Sequence, residues 1–358
     1  MITTKKRLDP AIFDLPVEKM RAGWYTDAYF NHTRDALREA GRHPRVVVQA
    51  FQKKHAYLGG MDEAIAILKL CADGFEELEV RALYDGDAIE PHEPVLQIEG
   101  DYTTFAHLET VYLGVLARRT LITTNVVNVL RAANGKPVIF MPARHDHHRV
   151  QTGDGYAAYV AGQVVGAEIG VTTNEQASWW GGSGLGTVPH ALIAAYDGDT
   201  VAAATRFADW APDDMNVTVL VDFENDSLRT ALEVADALGP RLWGVRLDTS
   251  ESLVDRSLWE EMGDFRPTGV NPRLVRKLRD ALDAAGHEGV RIVVSGGFTV
   301  DKIEEFEADG VPVDAYGIGS SLIRGSNDFT ADIVLTDGKP SAKVGRRYRA
   351  NERLELVT

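Results

Sequence analysis

An α/β chain with a mixed first part and a barrel-like second part is what this sequence predicts, and three observations carry that reading. From residue 138 onward, short apolar runs rich in valine and isoleucine alternate with helix-periodic segments. Such alternation implies parallel strands joined by right-handed crossovers. Polar residues and glycines stand directly after several of those runs, where a barrel of parallel strands builds its site. Before residue 130, strands and helices follow one another without that regularity and read as a separate α+β domain.

In order, residues 46–51 (Val-Val-Val-Gln-Ala-Phe) read as a strand, and Met61, Ile65 and Leu68 give 61–72 helical spacing. Residues 78–83 and 95–98 are further strands, with the turn Asp85-Gly86-Asp87 between them. The stretch 102–133 is helical, with a break expected over the Thr- and Asn-containing residues 120–125. Gly135-Lys136-Pro137 then marks the change of pattern. Strands follow at 138–140, 217–221, 243–247, 291–294 and 315–318, with helices at Ser227–Leu238 and 272–285 among the connections. Residues 333–357 carry short strand-like pieces and the basic run Lys343-Val344-Gly345-Arg346-Arg347, and are assigned back to the first domain. The expected organisation is an N-terminal α/β domain over 1–130, completed by 331–358, and a barrel over 131–330.

A chain of 358 residues suits about two domains. With 44% hydrophobic and 25% charged residues it has the composition of a folded protein with a large core. The net charge of −15 argues against nucleic-acid and anionic-membrane binding. One cysteine, Cys71, leaves no intramolecular disulfide and no cysteine-rich zinc site. No signal-peptide core follows the polar start, and no apolar run approaches the roughly 18 residues of a membrane span. A soluble, cytoplasmic protein is expected.

Gly186-Thr187-Val188-Pro189-His190 follows the glycine cluster Gly181-Gly182-Ser183-Gly184. Glycine-rich backbone approaches ligands closely, and a histidine just beyond it has the chemistry of an acid, base or nucleophile. By itself the motif reads more readily as a loop entering a helix, with Pro189 in its first turn. Ser295-Gly296-Gly297 and Gly317-Ile318-Gly319-Ser320 follow the last two strands, the usual place of a barrel's phosphate site, or else form two tight turns. Asp222 and Asp248 end two other strands. Such carboxylates bind ribose hydroxyls, hold magnesium through water, stabilise a developing cation, or cap helices. Arg246, from the same strand end as Asp248, offers a fork for a small carboxylate or a surface ion pair. Residues 144–149, Arg-His-Asp-His-His-Arg, match no zinc spacing and suit a positive wall facing an anion. Thr26-Asp27-Ala28-Tyr29-Phe30 offers either packing aromatics or a stacking partner for a flat ring.

Taken in order, these pieces resemble the nicotinate phosphoribosyltransferases, which group with quinolinate and nicotinamide phosphoribosyltransferases. The resemblance runs from about Thr26 to Arg347. Besides the motifs above it includes Glu93-Pro94-Val95-Leu96-Gln97-Ile98-Glu99-Gly100, Leu108-Glu109-Thr110 and Ala158-Tyr159-Val160-Ala161-Gly162. It implies an irregular α/β barrel with the N-terminal domain completed by C-terminal strands. It also implies transfer of phosphoribose from phosphoribosyl pyrophosphate to nicotinate, giving nicotinate mononucleotide and pyrophosphate in NAD salvage. ATP would be hydrolysed through a phosphohistidine, and His190 matches that residue. The alternatives are a nicotinamide or quinolinate enzyme, or a non-catalytic nucleotide-binding barrel.

On this resemblance Asp248 and Asp222 join His190 in catalysis. Tyr29, Arg144, Arg149, Arg246 and Thr187 are assigned to substrate. Ser295, Gly296, Gly297, Gly317, Gly319 and Ser320 are assigned to phosphate. Magnesium would arrive on the pyrophosphate, with no direct protein ligand. Tyr29 would stack on the pyridine of a neighbouring subunit, making a homodimer the smallest unit. Four features depart from the family pattern. Ala191 stands where serine is frequent after the histidine, and Asn225 and Asp226 replace a regular Asp-x-x-Asp. Residues 162–184 form a long segment with Trp179-Trp180. The single cysteine excludes the C-terminal zinc knuckle of some relatives.

Overall fold

The computed structural model describes residues 6–263 and 265–358. They fall into two compact units: residues up to Val127 with Tyr156–Val164 and Gly325–Thr358, and Asn128–Gly155 with Val165–Arg324. In chain order the strands are β1 (Arg45–Phe51), β2 (Ala56–Tyr57), β3 (Glu79–Ala82), β4 (Ala88–Ile89), β5 (Leu96–Asp101), β6 (Val138–Phe140), β7 (Ile169–Val171), β8 (Val217–Leu220), β9 (Leu242–Leu247), β10 (Arg291–Val294), β11 (Ala315–Ile318), β12 (Thr330–Thr336), β13 (Lys339–Pro340) and β14 (Glu355–Leu356).

The first unit holds an antiparallel sheet in the order β13-β12-β1-β5-β3-β14. The C-terminal strands do return to it: β12 pairs with β1, Val46 opposite Thr336, and β14 pairs with β3. The helix Met61–Cys71 buries Ala64, Ile65, Leu68 and Cys71 in one core with Val46, Val48, Ala50 and Ile98. Its own N-cap, Gly60, has no side chain to offer the first amides. Asp85, from the predicted turn, accepts from Met61 N at 2.7 Å and Asp62 N at 3.3 Å instead. Burial, with Asp62 nearby, pushes the Asp85 carboxyl up to about 7.

The expected break at 120–125 is absent: one helix runs from Glu109 to Ala132. Thr and Asn suggested a break because their side chains compete for backbone groups. Here those hydroxyls serve neighbouring chain instead. Thr120 Oγ1 accepts from Gly59 N at 3.1 Å, Thr124 Oγ1 accepts from Tyr57 N at 3.0 Å, and Thr123 Oγ1 donates to Ala157 O at 3.2 Å.

The second unit is built on a parallel sheet in the order β7-β6-β11-β10-β9-β8. β7 is a strand the sequence did not reveal, lying inside the long 162–184 segment. The two edges of this sheet are joined by extended chain. Leu185 N donates to Val171 O beside β7 at 2.7 Å, and Val188 N donates to Thr218 O of β8 at 2.8 Å. Val188 also forms a parallel bridge with Val219. The sheet thus curls into an irregular α/β barrel whose seventh place is taken by the segment leading to His190. Helices Ser227–Leu238 and Pro272–Ala284 cover it through Val234, Leu238, Leu274, Val275, Leu278 and Leu282. Asn271 caps the second of these, and Pro272 fills its first position.

Candidate active site

All six barrel strands run the same way, so their C-terminal ends share one end of the barrel. β8 leads to Asp222, β9 to Asp248, β10 to Ser295-Gly296-Gly297, β11 to Gly319-Ser320 and β6 to Arg144. Side chains alternate across a strand, so residues paired in a parallel register share a face. Arg246 pairs with Leu220 and Val293, and Val293 with Ala315. Counting on by twos sets Asp222, Asp248, Ser295, Gly317 and Gly319 on the face of Arg246. This face is crowded. A β-carbon on Gly317 would stand 2.6 Å from Met141 Sδ and 3.3 Å from Ser295 Cβ.

Arg246 is the hub. Its Nε donates to Ser295 Oγ at 2.8 Å, Nη1 to Thr187 Oγ1 at 3.4 Å and Nη2 to Asp248 Oδ2 at 3.3 Å. Ser295 Oγ lies 2.7 Å from Asp248 Oδ1 and 3.1 Å from Leu247 O. Its single hydrogen favours the nearer, charged acceptor. Four residues from three parts of the sequence therefore form one largely buried polar network.

His190 opens a short helix, His190–Ala195, with Pro189 as N-cap in extended conformation. Its Nε2 lies 2.9 Å from Asp222 Oδ1; the carboxylate is 4% exposed and the imidazole 42%. A carboxylate has no hydrogen to give, so Nε2–H donates and the lone pair stays on Nδ1. Among the described residues Nδ1 has no hydrogen-bond partner. The bond to Asp222 raises the pKa of the imidazole above the usual histidine value. Partial burial opposes this, the charges of Asp222 and Asp248 add to it, and Arg246 counters. Asp222 thus serves the histidine, while the helix at Ser227–Leu238 takes Asp226 as its N-cap residue.

Gly296 and Gly297 have φ of 83° and 73°, the left-handed region glycine occupies without strain. A β-carbon on Gly297 would also lie 2.4 Å from Glu251 Oε1. Among the described residues the amides of Gly296, Gly297, Gly319 and Ser320 donate to no protein acceptor. Ser321 Oγ donates to Phe298 O at 2.8 Å, tying the two loops together. Free backbone N–H groups in paired glycine loops make a cradle for an anion.

Arg144 and Arg149 are exposed in single-turn 3₁₀ segments, and neither side chain hydrogen-bonds to the Arg246 cluster. The Arg144 turn does adjoin the Gly319 loop, since a β-carbon on Gly319 would meet His145 Cε1 at 2.9 Å. Tyr29 belongs to the first unit and is 60% exposed, in the helix Ala28–Glu39. There the motif around it meets Leu108-Glu109-Thr110. Asp27 N donates to Thr110 Oγ1, and Thr110 Oγ1 to Asp27 Oδ2, both at 3.1 Å. Met141, Phe223 and Glu251 were not singled out from the sequence, whereas His145 belongs to the 144–149 motif. The ring of Phe223 lies 6.1 Å from that of His190. Its position directly after Asp222 was the only signal available.

A family model described as "Quinolinate phosphoribosyl transferase, N-terminal domain" matches residues 27–120. A nicotinate phosphoribosyltransferase of Mycobacterium tuberculosis is 31% identical over 72% of this chain and 54% of its own length. The chain thus spans about half the length of the curated relatives it matches. The crystal structure of a nicotinate-nucleotide pyrophosphorylase from Pyrococcus furiosus superposes with a TM-score of 0.81 at 31% identity, covering 99% of this chain and 86% of that one. Human nicotinic acid phosphoribosyltransferase shares the fold, with a TM-score of 0.64 at 19% identity over 88% of this chain and 75% of that one.

An α/β barrel with glycine loops and carboxylates at one end, in a chain that also folds an α/β domain, is the architecture of these solved structures. The chain belongs to the type II phosphoribosyltransferase family, that of the nicotinate and quinolinate phosphoribosyltransferases.

Proposed function

We propose that the chain transfers phosphoribose from phosphoribosyl pyrophosphate to the ring nitrogen of nicotinate, with ATP hydrolysed through a phosphohistidine at His190. The observation that carries this is the His190–Asp222 pair, which leaves Nδ1 with a free lone pair at the barrel end that also bears the glycine loops. A nucleophilic histidine needs that arrangement: one nitrogen held by a carboxylate, the other open. The lone pair attacks the terminal phosphorus of ATP, the bond to ADP breaks, and the Nε2 proton remains shared with Asp222. Hydrolysis later returns the phosphate to water.

In the transfer step the pyridine nitrogen forms its bond to C1 of the ribose, and the C1–oxygen bond to pyrophosphate breaks with its electron pair. Positive charge grows on the ribose, and Asp248, on the inner face, is aligned to stabilise it. Arg246 fixes Asp248 and Ser295, and its remaining surface meets a carboxylate or phosphate. The amides of Gly296, Gly297, Gly319 and Ser320 suit the 5′-phosphate, with Gly317 leaving room behind them. Among the described residues no group of three or more His, Cys, Asp or Glu side chains converges as a metal cage. Magnesium carried by the pyrophosphate would neutralise leaving-group charge, and Asp248 would hold it through water. Exposed Tyr29 supports stacking on the pyridine of a second copy, so the working unit proposed is a homodimer. Arg144 and Arg149 supply cations at the rim.

The test is His190→Ala in the full chain, given nicotinate, phosphoribosyl pyrophosphate, magnesium and ATP. Loss of ATP hydrolysis and of protein phosphorylation is expected, with slower ATP-independent transfer retained. Unchanged ATP hydrolysis would remove His190 from this role, and ligand binding without any product would leave a non-catalytic barrel. Quinolinate is the second reading, favoured by the family model over residues 27–120 and by the Pyrococcus furiosus relative. Release of CO₂ from quinolinate, run beside nicotinate and nicotinamide, decides it.

A further inference from the structure

The segments after β8 and β9 each carry one carboxylate of the site, and a set of hydrogen bonds below the site locks the two together. Asn225 stands in left-handed conformation, φ 57°, three residues after Asp222. Its amide donates to Asp222 O at 3.0 Å, and its carbonyl accepts from Arg256 N at 2.8 Å. Its side-chain Nδ2 donates to Val254 O. Asp255, fully buried, works in the opposite direction. Oδ2 accepts from Ser227 N at 3.0 Å and Ser227 Oγ at 2.7 Å, while Oδ1 accepts from Ser257 N at 3.0 Å and Ser257 Oγ at 2.7 Å. Asp255 is thus the remote cap of the helix Ser227–Leu238, in place of its own N-cap residue Asp226, which makes no side-chain cap bond.

We infer that Asn225 and Asp255 are positioning residues that hold the Asp222 segment in register with the Asp248 segment, and so couple phosphorylation of His190 to transfer at Asp248. The inference rests on the function proposed above. The chemistry explains why asparagine departs here from an Asp-x-x-Asp pattern. An ionised aspartate has no hydrogen for Val254 O and would set two acceptors against each other. Asparagine both donates and tolerates left-handed backbone. The carboxylate of Asp222 then sits at one end of a stretch fixed at both ends, by His190 above and by the β9 segment below.

Asn225→Asp is the informative variant: it keeps size and backbone preference, removes the donor, and adds a negative charge that by itself would raise the His190 pKa, so a downward movement reports displacement of Asp222. ATP-independent transfer is expected to stay within about twofold of wild type, since Asp248 keeps its bonds to Arg246 and Ser295. The ATP consumed per nicotinate mononucleotide formed should fall about tenfold or more, because phosphorylation of His190 slows on the scale of a misplaced reacting group while ATP-independent transfer persists. The pKa of His190, followed by its imidazole resonances on titration, should move down toward the ordinary histidine value as Asp222 drifts. The charges that face His190 are Asp222, Asp248 and Arg246. The titration needs no turnover, so it tests the latch even if wild type proves not to couple ATP, an outcome that would sink the proposed function alone. Asp255→Asn, which leaves two of the four donors poorly matched, should repeat both effects. Asn225→Gly, which keeps the left-handed backbone, should repeat the uncoupling. The inference is overturned if the ATP-to-product ratio and the His190 titration stay as in wild type, or if both half-reactions fall by one common factor with the titration unmoved.

Discussion

Replacing Asp222 by asparagine isolates what the His190 pair contributes. The substitution keeps shape and removes one charge, at a site where the carboxylate is 4% exposed and its bond to Nε2 is 2.9 Å. A hydrogen bond between charged and polar partners contributes about 1.5–3 kcal/mol. The imidazole is 42% exposed, so solvent screening trims that to about 1–2 kcal/mol, or roughly tenfold in any equilibrium favouring the bound tautomer. A second effect is larger. An asparagine amide can turn its N–H₂ toward Nε2, which moves the imidazole proton to Nδ1 and abolishes the lone pair that would attack ATP. Wrong-tautomer substitutions beside a catalytic histidine cost about 10⁴-fold in the serine-protease triad, so a loss of at least about 100-fold is expected here. The assay is acid-labile, base-stable incorporation of label from γ-labelled ATP, followed against pH. The wild-type profile should rise as pH passes the raised pKa of His190, because the neutral imidazole is the nucleophile. The variant should be slow throughout, with its titration displaced downward. Wild-type labelling with an unshifted profile would refute the assignment of Asp222 as the group that fixes the tautomer.

Arg246→Lys should lower transfer about 100-fold with little change in melting temperature, since one ammonium cannot span Ser295, Thr187 and Asp248 together; steady-state rates and a thermal melt check both parts. Gly317→Ala places a β-carbon 2.6 Å from Met141 Sδ and 3.3 Å from Ser295 Cβ. Overpacking of that kind costs about 1–3 kcal/mol of stability, and a rise in KM for phosphoribosyl pyrophosphate should exceed any fall in kcat. The His190–Asp222 pair should also make stability depend on pH. A raised folded-state pKa stabilises the protonated form, so the contribution is complete below the ordinary histidine value of about 6.5 and fades as pH rises through the folded value. Partial exposure keeps it under about 1 kcal/mol, and the melting-temperature gap between wild type and Asp222→Asn should narrow between roughly pH 5.5 and 8.

What the sequence made legible follows from the regularity of parallel strands. Asp222, Asp248, Ser295 and the Gly317 loop could be placed at strand ends because each follows an apolar run by one or two residues. What stayed hidden depends on contacts that no spacing encodes. β7 is only Ile169-Gly170-Val171, too short and too rich in glycine to stand out in a polar stretch. The Thr120–Asn125 region looked like a break because the acceptors and donors of its hydroxyls lie on chain 34 to 67 residues away. Arg246, Ser295, Thr187 and Asp248 were each legible as candidates, but the bonds that join them were not. Those residues come from the ends of different strands and of the closing segment, and only the shared inner face brings them together. Asn225 looked like a defect in a motif and proves to be a donor to Val254 O, set in a conformation that asparagine tolerates better than most residues.

The closure of the barrel explains why the histidine follows a glycine-rich stretch. A regular seventh strand between β7 and β8 would need paired donors and acceptors along both sides. The chain makes only isolated bonds there, through Leu185 on one side and Val188 on the other. Between them Gly186 and Thr187 are unpaired in the ladder, and Thr187 is free to meet Arg246 across the inner face. Val188, fully buried, then fixes the height at which Pro189 starts the helix. His190 therefore arrives at the strand ends level with Asp222, two residues beyond β8, and their 2.9 Å bond becomes the last tie of the ring. A longer or better-paired strand would carry the chain further along the barrel axis before turning, at about 3.3 Å for each added residue. That displacement exceeds the length of the hydrogen bond itself. The irregularity of the barrel at this one place is thus the condition for pairing a histidine from the closing segment with a carboxylate from the strand beside it.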